Sequence, residues 1–431
     1  MNTGPTPALQ VEKDVLAAMS RPSLRYLAAV ALTALLFAGG LALWARQIAL
    51  GMGVAGITHP VGWGVYIVNF VFWVGIAHSG TLISAVLYIF RAQFRTSFNR
   101  MAEAMTIFAL MVAGLFPLIH LGRVWRFYYL LPYPNQRQLW VNFRSPLVWD
   151  VFAVSTYMLV SLVFFYVGMI PDLAVTARHR PGFVGRIYRV LSLGWTGETR
   201  QWHHYAKLSM FLAAFATPLV ASVHSIVSWD FAVSIIPGWH TTIFAPYFVA
   251  GAILSGTAMV LTLVIPMRRL LNLKEYIPVD HIESIAKILL LTSLIVSFAY
   301  IVEHGLAFYS GNLFEMEQFR FRAFGDYRVL FWVMILCNAL LPLTLFLRRL
   351  RRNLVYLFVL SLLVNVGMWL ERFVIVIGSL ARDFDPYAWG NYTPSLTEIG
   401  ITAGAFGLFF LAFLLFVKVL PVLSITELKE R

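Results

Sequence analysis

Long apolar stretches, each of about 20 residues or more, alternate with short polar segments along this chain. An apolar helix of that length crosses a bilayer, whereas barrel strands are shorter and alternate apolar with polar positions. The pattern therefore predicts an all-α polytopic membrane protein with ten membrane helices, here numbered spans 1 to 10. The predicted spans are residues 24–46, 64–90, 101–121, 147–170, 204–228, 243–267, 281–309, 327–347, 353–380 and 397–420.

The composition agrees with a membrane protein. Of the 431 residues, 60% are apolar and 12% are charged, and soluble domains carry about twice that charged share. The single cysteine, Cys337, excludes a disulfide framework and any cysteine-ligated cluster built from this chain alone. A formal net charge of +13 is explained by loop arginines that set the topology of so apolar a chain. We therefore expect no nucleic-acid partner.

Basic residues are concentrated near both termini and in the loops that follow the even-numbered spans. An even number of spans places both termini on one side, and the positive-inside rule makes that side the cytoplasm. We expect a bacterial cytoplasmic (inner) membrane protein with both termini cytoplasmic. The predicted division is a tail at 1–23, a single membrane domain at 24–425 and a tail at 426–431.

One short motif occurs twice, as GIAHSGT at 75–81 in span 2 and GAILSGT at 251–257 in span 6. Small residues let helices approach closely, so packing alone explains the motif. The repeat also predicts two related four-helix bundles, at about 64–228 and 243–380, with spans 1 and 10 peripheral. Repeated bundles around buried charge resemble secondary transporters as well. Against a transporter, no pair of broken midplane helices is visible and the polar groups gather at one face.

Ionisable residues at membrane depth are costly, so each is a functional hypothesis. His120 ends span 3 and Asp150 begins span 4, so a base and a carboxylate converge in the predicted outer half. Quinol oxidation needs an apolar slot, an acceptor for each hydroxyl and a base whose pKa lies near the working pH. We predict His120 and Asp150 as catalytic residues. A purely structural hydrogen-bonded pair is the alternative.

Further polar and aromatic residues of the same half are predicted to contact the quinol. Sequence neighbours on a helix point about 100° apart, so Glu371 and Arg372 are expected to meet different helices, in a structural or a functional role. Asp230 ends span 5. The predicted quinol-binding residues are Arg123, Phe116, Asp230, Glu371 and Arg372.

A proton path is a weaker hypothesis. It runs in two halves, from Glu103 towards His78, and from Lys287 towards the outer end of span 7. Interfacial solvation explains Glu103 more simply, and an interhelical hydrogen bond explains His78. The predicted path residues are His78, Glu103, His224, Lys287, Glu303 and His304.

We expect neither haem nor a metal in this chain. Membrane b-type haems use paired histidines at matched depth, and His78 has no clear partner at its depth. The sequence also has no Cys-x-x-Cys-His motif, no phosphate-binding loop and no dinucleotide fingerprint.

Eight segments, spread over about residues 24–425, resemble the NrfD/polysulfide reductase membrane-subunit superfamily. Within it, they resemble most closely the ActC-type membrane subunit of bacterial alternative complex III. The segments are 59–64 (HPVGWG), 69–73 (NFVFW), 116–123 (FPLIHLGR), 132–135 (PYPN), 142–146 (NFRSP), 149–152 (WDVF), 236–240 (IPGWH) and 371–373 (ERF).

The resemblance implies a ten-helix subunit without a cofactor of its own, which oxidises ubiquinol or menaquinol near the extracytoplasmic face and releases protons there. Electrons would pass to an extracytoplasmic iron–sulfur subunit and then to c-type cytochrome subunits. A paralogous NrfD-like membrane subunit (ActF) and a terminal oxidase are the other implied partners. His120 and Asp150 would be the base and carboxylate of the quinol site, with Arg123 beside them. A non-catalytic anchor or proton-path subunit of the same complex is the alternative.

Overall fold

The computed structural model describes residues 8–19, 22–131 and 142–429. Within these ranges, ten helices are long and apolar enough to cross a membrane, and each coincides with one predicted span. The same ranges contain no strand. The predicted fold class, an all-α polytopic membrane protein, is therefore confirmed. The motif at 132–135 lies outside the described residues.

Spans 4 and 5 are the longest, at 34 residues each, well above the roughly 20 residues that cross a bilayer. They extend past the predicted apolar stretches mainly on the side that carries both termini. The opposite side, which the distribution of basic residues predicts to be extracytoplasmic, is called the outer end. In chain order the spans are Leu24–Leu50, Val65–Ile89, Asn99–His120, Pro146–His179, Thr199–Ala232, Phe244–Leu270, Val279–Tyr309, Arg328–Phe346, Leu354–Ala381 and Leu396–Val419.

Side-chain caps define the starts of the last two spans. At span 9, Asn353 Oδ1 accepts hydrogen bonds from two backbone N–H groups of the first turn. At span 10, Ser395 Oγ accepts from the Glu398 N–H and the Glu398 carboxylate accepts from the Ser395 N–H at 2.8 Å. This capping box satisfies backbone donors that have no partner within the helix. It also fixes a buried carboxylate at the outer end of span 10.

Spans 2 and 6 form the centre of the molecule, and 83% of the apolar window of each is buried. A Cβ atom on Gly256 would lie 2.6 Å from the Ile76 carbonyl oxygen. One on Gly80 would lie 2.0 Å from Thr106 Oγ1 on span 3. Glycine at both positions is therefore what lets these helices touch. The repeated small-residue motif packs span 2 against spans 6 and 3.

The neighbours of the two central helices also repeat. Span 3 packs on span 2 as span 7 packs on span 6, while span 5 reaches across to span 6 and span 9 across to span 2. The two halves therefore interlock. A π-helical turn interrupts span 2 at Leu82–Val86 and span 8 at Leu336–Leu340. The domain boundaries predicted from the sequence stay predictions.

Spans 1 and 10 pack on each other at the edge of this core. A Cβ on Gly40 would lie 2.6 Å from the Gly404 Cα, so the two backbones are in contact. Near the termini, a helix at Ala8–Ala18 meets a short helix at Ile425–Lys429. Two further helices lie between spans. The linker helix, Gly182–Leu191, joins spans 4 and 5, and the loop helix, Leu313–Phe324, joins spans 7 and 8.

Candidate functional site

Two carboxyl groups meet at the outer ends of spans 4 and 5. Asp150 is 6% exposed in the second turn of span 4. Its carboxyl group lies within hydrogen-bonding reach of the Asp230 carboxyl group near the end of span 5. Within the described residues, Oδ1 of each has no hydrogen-bond partner. Two carboxyl groups can share a hydrogen bond only when one holds a proton, so this carboxyl pair can take up and release a proton.

Aromatic rings border the carboxyl pair. Trp149 and Trp229, each next in sequence to one of the aspartates, pack edge to face with ring centroids 6.0 Å apart. Both are partly exposed, at 36% and 37%. A cleft of about 460 Å³ beside Trp229 is also lined by His240 and Leu306. A flat apolar ring could therefore approach the carboxyl pair from the lipid along these indoles.

His120 does not pair with Asp150, contrary to the expectation of one base–carboxylate pair. Within the described residues, no hydrogen bond joins them, and His120 Nδ1 is buried without a partner. The anionic side chain that acts electrostatically on His120 is Glu398 of span 10. Arg123 is exposed in the loop after span 3 and forms no ion pair with a described carboxylate. The structure thus pairs Asp150 with Asp230, which the sequence placed only among the binding residues.

The surroundings of His120 include polar side chains that the sequence analysis missed. Tyr66 donates to Gln47 Oε1 at 2.5 Å, and Gln47 Nε2 donates to the Ile119 carbonyl oxygen at 3.0 Å. Glu398 accepts hydrogen bonds from Tyr392 and from the Gly56 N–H, both at 2.7 Å. Gln47 was missed because it lies one residue past the predicted end of span 1 and directly after Arg46, where polar residues are ordinary.

Phe116, one of the predicted quinol-binding residues, is fully buried. It lines an apolar cavity of about 150 Å³ between spans 1, 3 and 10. Trp44 also lines this cavity, and its Nε1 has no partner in the described part of the chain. Ile119, the residue before His120 on span 3, also lines this cavity.

The second half of the molecule holds a buried ion pair. Arg372 lies 3.0 Å from Glu371 Oε1, although the two are sequence neighbours. Each also meets another helix, as expected. Tyr300 of span 7 donates to Glu371, and the Arg372 guanidinium stacks 4.2 Å from the centroid of the Phe248 ring on span 6. Opposite charges, a hydroxyl donor and an aromatic face together compensate the burial of both groups.

A second ion pair joins span 7 to the loop helix. Arg322 of the loop helix donates to Glu303 at 2.9 Å, and both side chains are buried. His304 packs between the rings of Phe319 and Phe331. No sequence signal pointed to Arg322, because it lies in a segment that reads as a loop between two spans.

Histidines from both sides of the core meet in the middle of the membrane region. The rings of His78 and His224 lie with centroids 4.7 Å apart, so the expectation that His78 has no partner at its depth is wrong. Tyr157 packs on His78 at 5.0 Å and its hydroxyl lies 2.6 Å from Thr81 Oγ1. His224 in turn packs on Phe248, the ring on which the Arg372 guanidinium stacks.

Glu103 lies between this central group and the inner side. Its carboxylate pairs with Arg100 at 3.2 Å, and Arg100 also pairs with Asp172 at 2.9 Å. An open cavity of about 280 Å³ reaches Glu103 from the inner side. On its other side, Glu103 and Thr81 line the same small void. By contrast, Lys287 is exposed, and the described residues give no hydrogen bond that connects it towards Glu303.

These polar groups fall into five places: the outer carboxyl pair, the surroundings of His120, the ion pairs of the second half, the central histidines and the Glu103–Arg100–Asp172 group near the inner side. The described residues contain no group of three or more His, Cys, Asp or Glu side chains suited to hold a metal ion. The arrangement can accept protons at its outer end.

Most of the chain is similar to known proteins. The family model described as "Polysulphide reductase, NrfD" matches residues 53–382. A putative dimethyl sulfoxide reductase membrane subunit of Halobacterium salinarum is 27% identical over 401 residues, which cover 87% of this chain and 86% of that protein. A selenate reductase subunit of Mesobacillus selenatarsenatis is 24% identical over 414 residues, which cover 88% of this chain and 90% of that protein.

Proposed function

This chain belongs to the NrfD polysulphide reductase family, and from that membership we propose that it is a quinol-oxidising membrane subunit. It is a multi-pass membrane protein, and its relatives are subunits of reductases. It is therefore a membrane subunit of a reductase-type electron-transfer complex. The observation that carries the quinol assignment is the buried Asp150–Asp230 carboxyl pair, in which Oδ1 of each residue has no partner among the described residues and which two partly exposed indoles border.

In the proposed reaction, one quinol loses two protons and two electrons and becomes a quinone. The ring approaches along the indoles of Trp149 and Trp229 at the outer ends of spans 4 and 5, and one hydroxyl gives its proton to the carboxyl pair. His120, whose Nδ1 has no partner, accepts the second proton, because a neutral imidazole is a good base near neutral pH. The electrons leave one at a time to an iron–sulfur subunit on the outer side. Proton release on that side contributes to a proton gradient without a pump.

Asp150→Asn tests this assignment, because Asn keeps the shape of the side chain and removes its charge. Quinol oxidation by membranes that hold equal amounts of assembled complex is expected to fall at least about 100-fold, the lower range for loss of a general base. Asp326→Asn is the matched control, since Asp326 is an outer-loop carboxylate that hydrogen-bonds Asn391. Unchanged turnover in Asp150→Asn would leave the chain as a non-catalytic anchor or proton-path subunit.

The type of complex is a finer proposal. The eight sequence segments favour alternative complex III, in which c-type cytochrome subunits, a paralogous membrane subunit and a terminal oxidase are the partners. The two relatives named above favour a second candidate, a complex that reduces a small acceptor such as dimethyl sulfoxide or selenate. The purified complex decides between them. Quinol-dependent reduction of cytochrome c supports the first, and reduction of dimethyl sulfoxide or selenate without it supports the second.

We also propose that protons cross the membrane through this chain. The supporting observation is the series formed by the open inner cavity, Glu103, the void at Thr81, and the contact of His78 with His224. Reconstituted complex is expected to release more protons outside than quinol oxidation alone supplies. Glu103→Gln should abolish that excess and leave quinol turnover within about twofold. An unchanged excess would contradict the path.

The orientation follows from the distribution of arginines, with both termini in the cytoplasm of a bacterial inner membrane. Reporter fusions at the carboxyl terminus test it. A reporter that is active only in the cytoplasm is expected to be active there, and an active periplasmic reporter would reverse the assignment of inner and outer ends.

A further inference from the structure

The linker helix presents apolar side chains on a surface that no other described part of the chain covers. Phe183 is 74% exposed, Val190 69% and Ile187 43%. At 100° per residue these three lie on one face of the helix. The opposite face holds the helix against the body, where Tyr188 is buried and donates to the Val419 carbonyl oxygen at 2.6 Å. The helix thus lies along the end of the membrane region with an apolar face towards lipid.

Four arginines surround the corner where span 4 turns into this helix. Arg178 and Arg180 come from the end of span 4, and Arg186 and Arg189 from the linker helix. All four line one cleft of about 480 Å³, together with Phe183. In the described residues, none of the four guanidinium groups pairs with a carboxylate, and none of the lining residues is acidic. Four cations around one cleft repel each other unless an anion occupies it.

Two glycines let the backbone turn tightly between span 4 and the linker helix. Gly182 has a φ of +79°, which favours glycine. A Cβ on Gly185 would lie 1.7 Å from the Arg180 carbonyl oxygen. Arg180 is further fixed because it donates to the Met19 carbonyl oxygen at 2.6 Å. The conformation of this turn therefore determines the shape of the cleft.

We propose that this cleft binds the headgroup of an anionic phospholipid. Guanidinium groups form paired hydrogen bonds with phosphate oxygens. The apolar face of the linker helix supplies the neighbouring surface for the acyl chains. Charge complementarity and an adjacent lipid-facing surface distinguish this occupant from a free anion, which needs only the arginines. The site would hold the inner ends of spans 4 and 5 at the membrane surface.

The test titrates phosphatidylglycerol into the purified, detergent-solubilised complex and counts bound lipids by native mass spectrometry, with phosphatidylcholine as the neutral reference. Phosphatidylglycerol is expected to bind at least about tenfold more tightly. Arg186→Gln with Arg189→Gln should weaken it about 25-fold, at about fivefold for each arginine near a charged membrane surface. The double variant with Lys at both positions should recover only part of the affinity, because lysine restores the charge without the paired hydrogen bonds.

Arg348→Gln with Arg349→Gln is the matched control, since both are exposed basic residues on the same membrane side. This pair should change the affinity less than about twofold, and an equal loss in both double variants would overturn the site. Phe183→Ser should weaken lipid binding and leave binding of inorganic phosphate unchanged. Displacement of the lipid by inorganic phosphate, with no effect of Phe183→Ser, would assign the cleft to a free anion and overturn the proposal.

Discussion

At their outer ends, the two halves of the molecule treat buried carboxyl groups in opposite ways. At the outer end of the first half, Asp150 meets Asp230, another acid. In the second half, Glu371 meets Arg372 and receives a hydrogen bond from Tyr300. An acid that meets an acid exchanges a proton readily, whereas an acid that meets a guanidinium keeps a fixed charge. We therefore propose that the outer end of the first half exchanges protons, while the outer end of the second half holds a stabilising ion pair.

The largest expected effect concerns the first half. Asp230→Asn leaves Asp150 without the group that shares its proton, so quinol turnover is expected to fall at least about 100-fold. Because the two carboxyl groups act as a unit, the double variant with Asp150→Asn should be no slower than the slower single variant. Steady-state turnover of equal amounts of complex measures both. Independent, multiplying losses would show that the two aspartates act separately.

The second half should respond in stability. Arg372→Met leaves the Glu371 carboxylate buried without its cation, which is expected to lower the free energy of unfolding by about 3–5 kcal/mol. Denaturation of the purified protein in detergent measures it. Glu371→Gln combined with Arg372→Met removes both charges and should cost much less. If the double variant is as unstable as the single one, packing of Arg372 on Phe248 carries the effect instead of charge.

A smaller change tests the hydroxyl that completes the ion pair. Tyr300→Phe removes one hydrogen bond to a charged group, for an expected loss of about 1.5–3 kcal/mol of unfolding free energy. Turnover should stay within about twofold. Tyr387→Phe is the control, because Tyr387 is fully exposed in an outer loop. A large loss of turnover in Tyr300→Phe would make the second half part of the reaction.

The smallest effect is expected at Lys287. One half of the predicted proton path begins at Lys287 and the other at Glu103. In the structure, Lys287 is exposed, whereas Glu103 lies beside a cavity. Lys287→Gln should change the free energy of unfolding by no more than about 0.5 kcal/mol. It should also leave the proton yield of reconstituted complex unchanged. A lost proton yield would restore the second half-path that the sequence predicted.

The sequence predicted the fold well because the cost of exposing polar backbone to lipid leaves helices as the structure that suits long apolar segments. It also selected Asp150, Asp230, Glu371 and Arg372, since ionisable residues are conspicuous in apolar helices. Pairing was harder to predict. Which acid meets which base depends on how spans far apart in the chain are rotated, so Asp150 was matched to His120.

Missed residues have physical reasons too. Arg322 lies in a loop helix, where arginine is ordinary. Glu398 reads as a helix-capping residue, and the structure uses it as one while also placing it near His120. His224 was predicted only as a proton-path residue, and its contact with His78 depends on span 5 crossing to the other half.

The contact of span 1 with span 10 bears on the order in which the protein is made. Of the ten spans, span 1 leaves the ribosome first and span 10 last, yet Gly40 and Gly404 touch backbone to backbone. Only 6% of the apolar window of span 1 is buried, so until span 10 arrives it has little protein to hold it. The Ala8–Ala18 helix also lacks a contact until span 10 is made, since Lys418 of span 10 donates to the Ala18 carbonyl oxygen. We therefore expect chains stopped before span 10 to expose the Gly40 face and to be degraded by membrane proteases, which pulse-labelling of truncated chains would detect.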